Sequence, residues 1–263
     1  MTVRPGLLLI PSLLLLFSCD KLPSAKNSGK PKSIAEEVQI NSAAKPEIVA
    51  AFQAIANATY EHNRVFLQNV NGNGPVNGPA FAAGMAHLDR SAREHGGIAR
   101  QVIDAISTTW AYEKTLFVPF DTLKTQVSGM KTWSSDAATQ RRGYVQIIDQ
   151  ELLSYDEAVS YLERGEIPLL RQNFDKNRVP REVGEEFIRL LELHGKEVAE
   201  NKLGMFREQR AALQSYREAM TAANPTQANA CVAEGDKHQR QSDEHESKMI
   251  AAIRKQFDST GPL

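Results

Sequence analysis

The stretch PREVGEEFIRLLELHGKEVAENKLGMFREQRAALQSYREAMTAANP, residues 180–225, decides the fold. Pro180 suits the start of a helix, where its missing N–H costs nothing. Glu182, Glu185 and Glu186 follow in the first turns, where the helix dipole favours acids. The helical pattern runs to about Ala222, and Asn224-Pro225 breaks it. At 1.5 Å per residue such a helix is about 65 Å long, so the domain that contains it is expected to be elongated.

The same period extends in both directions. Downstream, a fifth helix is expected over about 225–258. Upstream, Ser134-Ser135-Asp136 offers an N-cap for a third helix whose stripe is Tyr144, Ile148, Leu152, Tyr155, Val159 and Leu162. Gly165 and Pro168 are expected to interrupt it, leaving a short helical piece to about Lys176. A second helix follows the turn-forming run NGNGPVNGP, residues 71–79, and keeps a 3–4 spacing through Phe81, Met85, Leu88, Ala92, His95, Ala99, Val102 and Ile106. It is expected to continue, kinked at Pro119, through Phe120, Leu123, Val127 and Met130, with Gly96-Gly97 as a second weak point. A first helix covers about 46–70, with Ile48, Phe52, Ile55, Thr59, Phe66 and Val70 on one stripe. No segment alternates as a strand does. The expected fold is all-α: an elongated antiparallel helical bundle or coiled coil of about five helices over residues 46–263.

The chain ahead of this domain has a different character. Arg4 precedes an almost wholly apolar run, Gly6 to Phe17. About a dozen residues is short of the roughly 20 that span a bilayer, and the pattern fits a signal peptide over residues 1–18. Leu16-Phe17-Ser18-Cys19 resembles the lipobox of bacterial lipoproteins. That resemblance implies cleavage before Cys19, a diacylglyceryl group on its sulfur and an acyl chain on its new amine, enough for stable anchoring. Asp20 resembles the inner-membrane retention signal of enteric bacteria, and the choice between inner and outer membrane stays open. Residues 19–45, rich in Lys, Ser, Ala and Pro, form a tether. Its mean reach of about 28 Å keeps the domain close to its membrane. The expected location is the bacterial cell envelope, lipid-anchored and facing the periplasm.

Composition excludes some functions. The net charge of −1 gives no reason to expect nucleic acid, and 41% hydrophobic residues suffice for one sizeable core. With Cys19 acylated, as the lipobox resemblance implies, Cys231 has no partner in the chain and reads as a small buried residue or as a disulfide between two copies. Cys231, His238 and His245 fall seven apart on one helical face. Seven residues span about 10.5 Å, whereas zinc ligands lie about 2.0–2.3 Å from one ion, so the three cannot share an ion without partners from other helices and read as a heptad seam. Asp236, Arg240, Glu244 and Lys248 read as a solvent-facing charge ladder. No histidine has an acid three residues before it, and H-E-x-x-H, C-x-x-C-H, P-loop and G-x-S-x-G patterns are absent. No catalytic, cofactor or metal residue is assigned.

One cluster stands out. In RQNFDKNRVPR, residues 171–181, Arg171, Lys176, Arg178 and Arg181 crowd the turn between the third and fourth helices. It reads as a solvated loop or as a tip that meets anionic lipid headgroups, at about 1 kcal/mol per Lys or Arg near the surface.

The layout resembles the BAR and F-BAR membrane-shaping domains. EKTLFVPFDTLKTQV, residues 113–127, is similar to their proline-kinked second helix, and RRGYVQIIDQELLSYDEAVSYLERG, residues 141–165, to their third. The resemblance implies a crescent homodimer that binds or bends membrane without catalysis, with Arg171, Lys176, Arg178 and Arg181 as the membrane-contacting tip. Two expectations of function follow: a lipid-anchored membrane-surface scaffold, or an envelope adaptor whose bundle binds another protein. A third is a bundle enclosing a small ligand or metal.

Overall fold

The structure is a computed structural model that describes residues 46–55, 64, 67, 86, 90, 94, 96–117 and 138–260. Five helices carry the fold: α1 (Gly97–Phe117), α2 (Ala138–Ser160), α3 (Glu166–Lys176), α4 (Arg181–Thr221) and α5 (Pro225–Thr260). A five-residue π-helical turn, Tyr161–Gly165, joins α2 to α3. Residues 46–55 are also helical, and among the described residues there is no strand. The all-α antiparallel bundle is thus as expected. The expected signal peptide, lipid attachment at Cys19, tether, NGNGPVNGP turn, Ser134-Ser135-Asp136 cap and Pro119 kink fall on residues outside the described ones.

Helix α4 is the spine. Its 41 residues extend about 60 Å, and the boundaries read from Pro180 and Asn224-Pro225 hold. The Pro180 carbonyl accepts the Val183 and Gly184 amides at 2.9 and 3.0 Å. At the other end, Asn224 Oδ1 accepts the Gln227 amide at 2.9 Å, an N-cap for α5 with Pro225 as its first residue. Helix α5 runs back along α4: Tyr216 pairs with Asp236, Glu208 with His238 and Glu197 with Lys255. The two backbones come close where Gly204 lies under the His245 ring. A Cβ there would meet that ring at 2.6 Å. Helix α2 is antiparallel to α4 on another side, tied by Arg217 to Asp149 and Arg210 to Asp156, with Arg207 reaching Glu163 of the π turn beyond.

The apolar stripes converge on one core. Ile48, Phe52 and Ile55 from the first segment, Val102 and Ile106 from α1, and Ile148, Leu152 and Tyr155 from α2 are buried with Phe187, Val198 and Phe206 of α4. Phe187 stacks on Phe52 with centroids 6.5 Å apart and receives the edge of Phe174 at 5.6 Å.

One sequence expectation needs correction and another gains detail. The second helix does not run unbroken: Gly96 and Gly97 both have positive φ, 59° and 51°, and α1 begins there. Only glycine takes that backbone at little cost, so the weak point is a break. Conversely, Gly165 and Pro168 interrupt the third helix not by a break but by a π turn, after which the expected short piece runs as α3 to Lys176. The π turn carries the chain from α2 into α3, with the Glu166 amide bonded to the Tyr161 carbonyl. A proline in an α-helix clashes with the carbonyl four residues back, and the wider turn just before Pro168 relieves that clash. Gly165 leaves room for the Tyr161 ring, which a Cβ would meet at 2.9 Å.

The α3–α4 turn is a Schellman motif. The Val179 amide reaches the Phe174 carbonyl at 2.9 Å and the Arg178 amide reaches Asp175 at 3.1 Å. Its left-handed residue is Arg178, at φ 58°, where glycine is usual. Arg178→Gly should therefore raise stability by about 0.5–1 kcal/mol, net of the added chain entropy. It should appear as a higher urea midpoint with unchanged slope. A lower midpoint would mean that the Arg178 side chain holds the turn.

Candidate functional site

The sequence-derived tip residues are brought together by the turn, though not on equal terms. Arg171 is engaged: its guanidinium donates to both Glu185 carboxylate oxygens at 3.1 and 2.8 Å. That fork holds Glu185 below the usual carboxylate range. Lys176, Arg178 and Arg181 are exposed around the rigid turn. The tip thus displays three cations, with the fourth spent on an ion pair between α3 and α4.

The α5 seam behaves as the spacing arithmetic requires. His238 Nδ1 lies 2.7 Å from Glu208 and His245 Nδ1 lies 3.1 Å from Asn201, so each ring has its own partner on α4. Cys231 is a half-buried free thiol. Among the described residues no group of metal-ligating side chains could hold an ion. In the charge ladder, Asp236 also accepts a hydrogen bond from the Tyr216 hydroxyl at 2.7 Å.

A second cluster lies inside the bundle. Lys202 of α4 is 1% exposed and Glu113 of α1 is 2% exposed. The ammonium of Lys202 stands 3.5 Å from Glu113 Oε2, and the Tyr161 hydroxyl donates to Glu113 Oε1 at 3.1 Å. Burial holds the Glu113 carboxyl above its ordinary range, with Lys202 and the Tyr161 hydroxyl offsetting only part of that rise. Glu166, at the first position of α3, completes the group. Its Oε1 is sealed from solvent and has no hydrogen-bond partner. Burial first, and then the charge of Glu113, push Glu166 up to about 8 against the opposing pull of Lys202. At neutral pH Glu166 is therefore a neutral acid beside an ion pair. Further along α2, burial alone pushes Glu151 up to about 7.

These residues have a sequence signal. Val102, Ile106, Thr109, Glu113 and Leu116 keep the 3–4 spacing of a buried stripe, as do Val198, Lys202, Met205, Gln209 and Ala212. Charges placed on an apolar stripe mark buried polar positions. A groove of about 420 Å³ opens beside the cluster, between the π turn with the start of α3 and the middle of α4, and Glu166 forms part of its wall.

No family model matches the chain, and comparison with curated proteins and with solved structures returns no significant match.

The two raised carboxylates set the pH dependence of stability. In the folded protein Glu151 and Glu166 hold their protons to about 7 and about 8, whereas both ordinarily lose them near 4.5. Between those values the folded state binds more protons than the unfolded one. Stability is greatest below about pH 4.5 for these groups and is lost as pH rises through 7–8, at on the order of 1 kcal/mol per pH unit for each. Urea midpoints should fall from pH 5 to pH 8, and Glu151→Gln with Glu166→Gln should flatten the trend. A wild-type midpoint independent of pH in that range would show that neither carboxyl is held neutral.

Proposed function

We propose that this protein is a lipid-anchored helical scaffold of the bacterial envelope, held at a membrane by acylated Cys19 and engaging anionic headgroups through its α3–α4 tip. The likeness of Leu16-Phe17-Ser18-Cys19 to a lipobox supports the anchor. The tip carries the functional part of the reading. Lys176, Arg178 and Arg181 sit on a hydrogen-bonded turn at one end of a 41-residue helix, so three charges face outward on a rigid support. A rigid display loses little conformational freedom on binding, which favours contact with a charged surface. No helix among the described residues is long and apolar enough to cross a membrane, in keeping with attachment through lipid and surface charge. The likeness to BAR domains extends the proposal to a homodimer that binds or shapes membrane.

The adaptor reading draws on a different observation. Leu153 of α2 and Leu193 of α4 are 69% and 58% exposed, apolar side chains left outside the bundle. Such positions suit a protein partner in the envelope, although single exposed leucines are common.

The test uses the full chain with Cys19→Ser, sedimented with vesicles rich in phosphatidylglycerol. Combining Lys176→Gln, Arg178→Gly and Arg181→Gln should weaken binding on the order of 100-fold at low salt, from about 1 kcal/mol per charge. Most of that difference should vanish at 1 M salt, where the Debye length is about 3 Å. Equal binding by the two proteins at low salt would overturn the tip's role and favour the adaptor.

A further inference from the structure

Four buried polar groups meet where four elements join: Glu113 of α1, Tyr161 of the π turn, Glu166 of α3 and Lys202 of α4. Two carboxyls share one ammonium there. Both oxygens of Glu113 are engaged, one with Lys202 at 3.5 Å and the other with the Tyr161 hydroxyl at 3.1 Å. Glu166 is the surplus carboxyl, and its Oε1 is sealed from solvent with no hydrogen-bond partner. A carboxylate in that position is a buried charge without a donor, whereas a carboxylic acid has no charge to bury. With a proton on Glu166 the four groups sum to zero charge; without it they carry one negative charge. Glu166 also sits at a junction of the chain. It is the first residue of α3, and its amide closes the π turn on the Tyr161 carbonyl. Single π turns within helices are frequent at functional sites. The groove of about 420 Å³ adjoins this junction, so the Glu166 side chain has space and water beside it.

We propose that Glu166 is a proton latch on the α2–α3 junction: protonated, it stays in its sealed position and holds the start of α3 against α1 and α4; ionised, it moves into the groove, and the π turn and the first turn of α3 open with it. The step is an acid dissociation in which the carboxyl proton goes to solvent and the carboxylate gains the water that its sealed position denies it. Inside the bundle Glu166 faces Glu113, Tyr161 and Lys202, and Lys202 stays with Glu113 when the latch opens. On the groove side its charged neighbours are Glu163 and Arg164 of the π turn and Glu192, Lys196 and Glu200 of α4. All five are exposed, so water screens them. Glu163 is paired with Arg207 at 2.6 Å, and Lys196 lies 3.8 Å from Glu200. Burial and the charge of Glu113 keep the proton on Glu166 up to about 8, in accord with the charge count. The opening is local. At the far end of α3, Asn173 remains bonded to Thr109 at 2.9 Å and Phe174 remains packed on Phe187.

Hydrogen–deuterium exchange of the full chain, followed by mass spectrometry from pH 6 to pH 8 and corrected for the intrinsic effect of pH on amide exchange, tests this. The closed form holds the proton and the open form releases it. Opening of residues 161–170 should therefore increase at least about tenfold over that range and level off above about 8. Amides of α5, which is tied to α4 without a buried acid of this kind, should lose protection by a smaller factor. Return to pH 6 should restore the junction. Glu166→Gln keeps the shape of the protonated acid and Glu166→Met brings no polar group to the site; neither ionises, and both should remove the rise at residues 161–170. Exchange at the junction that is independent of pH, protection lost equally by the junction and α5, or the same rise in both variants would each overturn the proposal.

Discussion

Lys202 and Glu113 face each other at 3.5 Å inside the bundle, both almost fully buried. Two charges in such a place constrain everything around them. Removing one partner of a buried pair typically costs about 3–5 kcal/mol, because the other is left uncompensated. Helix α1, which packs chiefly on α3, is joined to α4 through this pair. The Tyr161 hydroxyl, donated to Glu113, extends the constraint to the π turn. Apolar stripes alone would tolerate sliding, since a leucine one turn away offers a similar contact. The ion pair does not.

The remaining features follow from that registration. Helix α1 lies on α3, where Asn173 reaches Thr109 of α1 at 2.9 Å, and Phe174 meets Phe187 beneath the Schellman turn. The turn then holds Lys176, Arg178 and Arg181 outward at the end of the spine. The π turn brings Glu166 beside the ion pair and into the wall of the groove. Tip and groove thus depend on the same docking, one as a charged surface and the other as a cleft with a neutral acid in its wall. The α4–α5 pair is tied differently, through Glu208 with His238, Tyr216 with Asp236 and the close approach at Gly204. It needs no buried charge pair.

Much of this architecture is legible in the sequence because it is written in local terms. Pro180 and Asn224-Pro225 bound α4 by removing backbone donors, and Ile148, Leu152 and Tyr155 mark a buried face by spacing alone. Gly165 and Pro168 mark where α2 gives way to α3, but not the form of the junction. Each disfavours an α-helix, but the π turn that ends at Gly165, with the Tyr161 ring lying against that glycine and Pro168 following in α3, has no local signature. The core cluster is hidden because Glu113 and Lys202 are residue types that normally seek water. Their burial depends on two helices meeting 89 positions apart, which no local pattern encodes. Their place on otherwise apolar stripes is the one trace they leave. At the tip, the sequence shows four cations but not that Arg171 is held by Glu185.

The most direct test of this account is a double-mutant cycle on the ion pair, with Glu113→Gln, Lys202→Met and the two combined, read by urea unfolding at pH 7. The account predicts two costly single substitutions and a combined variant markedly more stable than their sum, a coupling of about 2–3 kcal/mol. Additive effects, with a coupling near zero, would contradict it and leave the apolar stripes alone to set the register of the bundle.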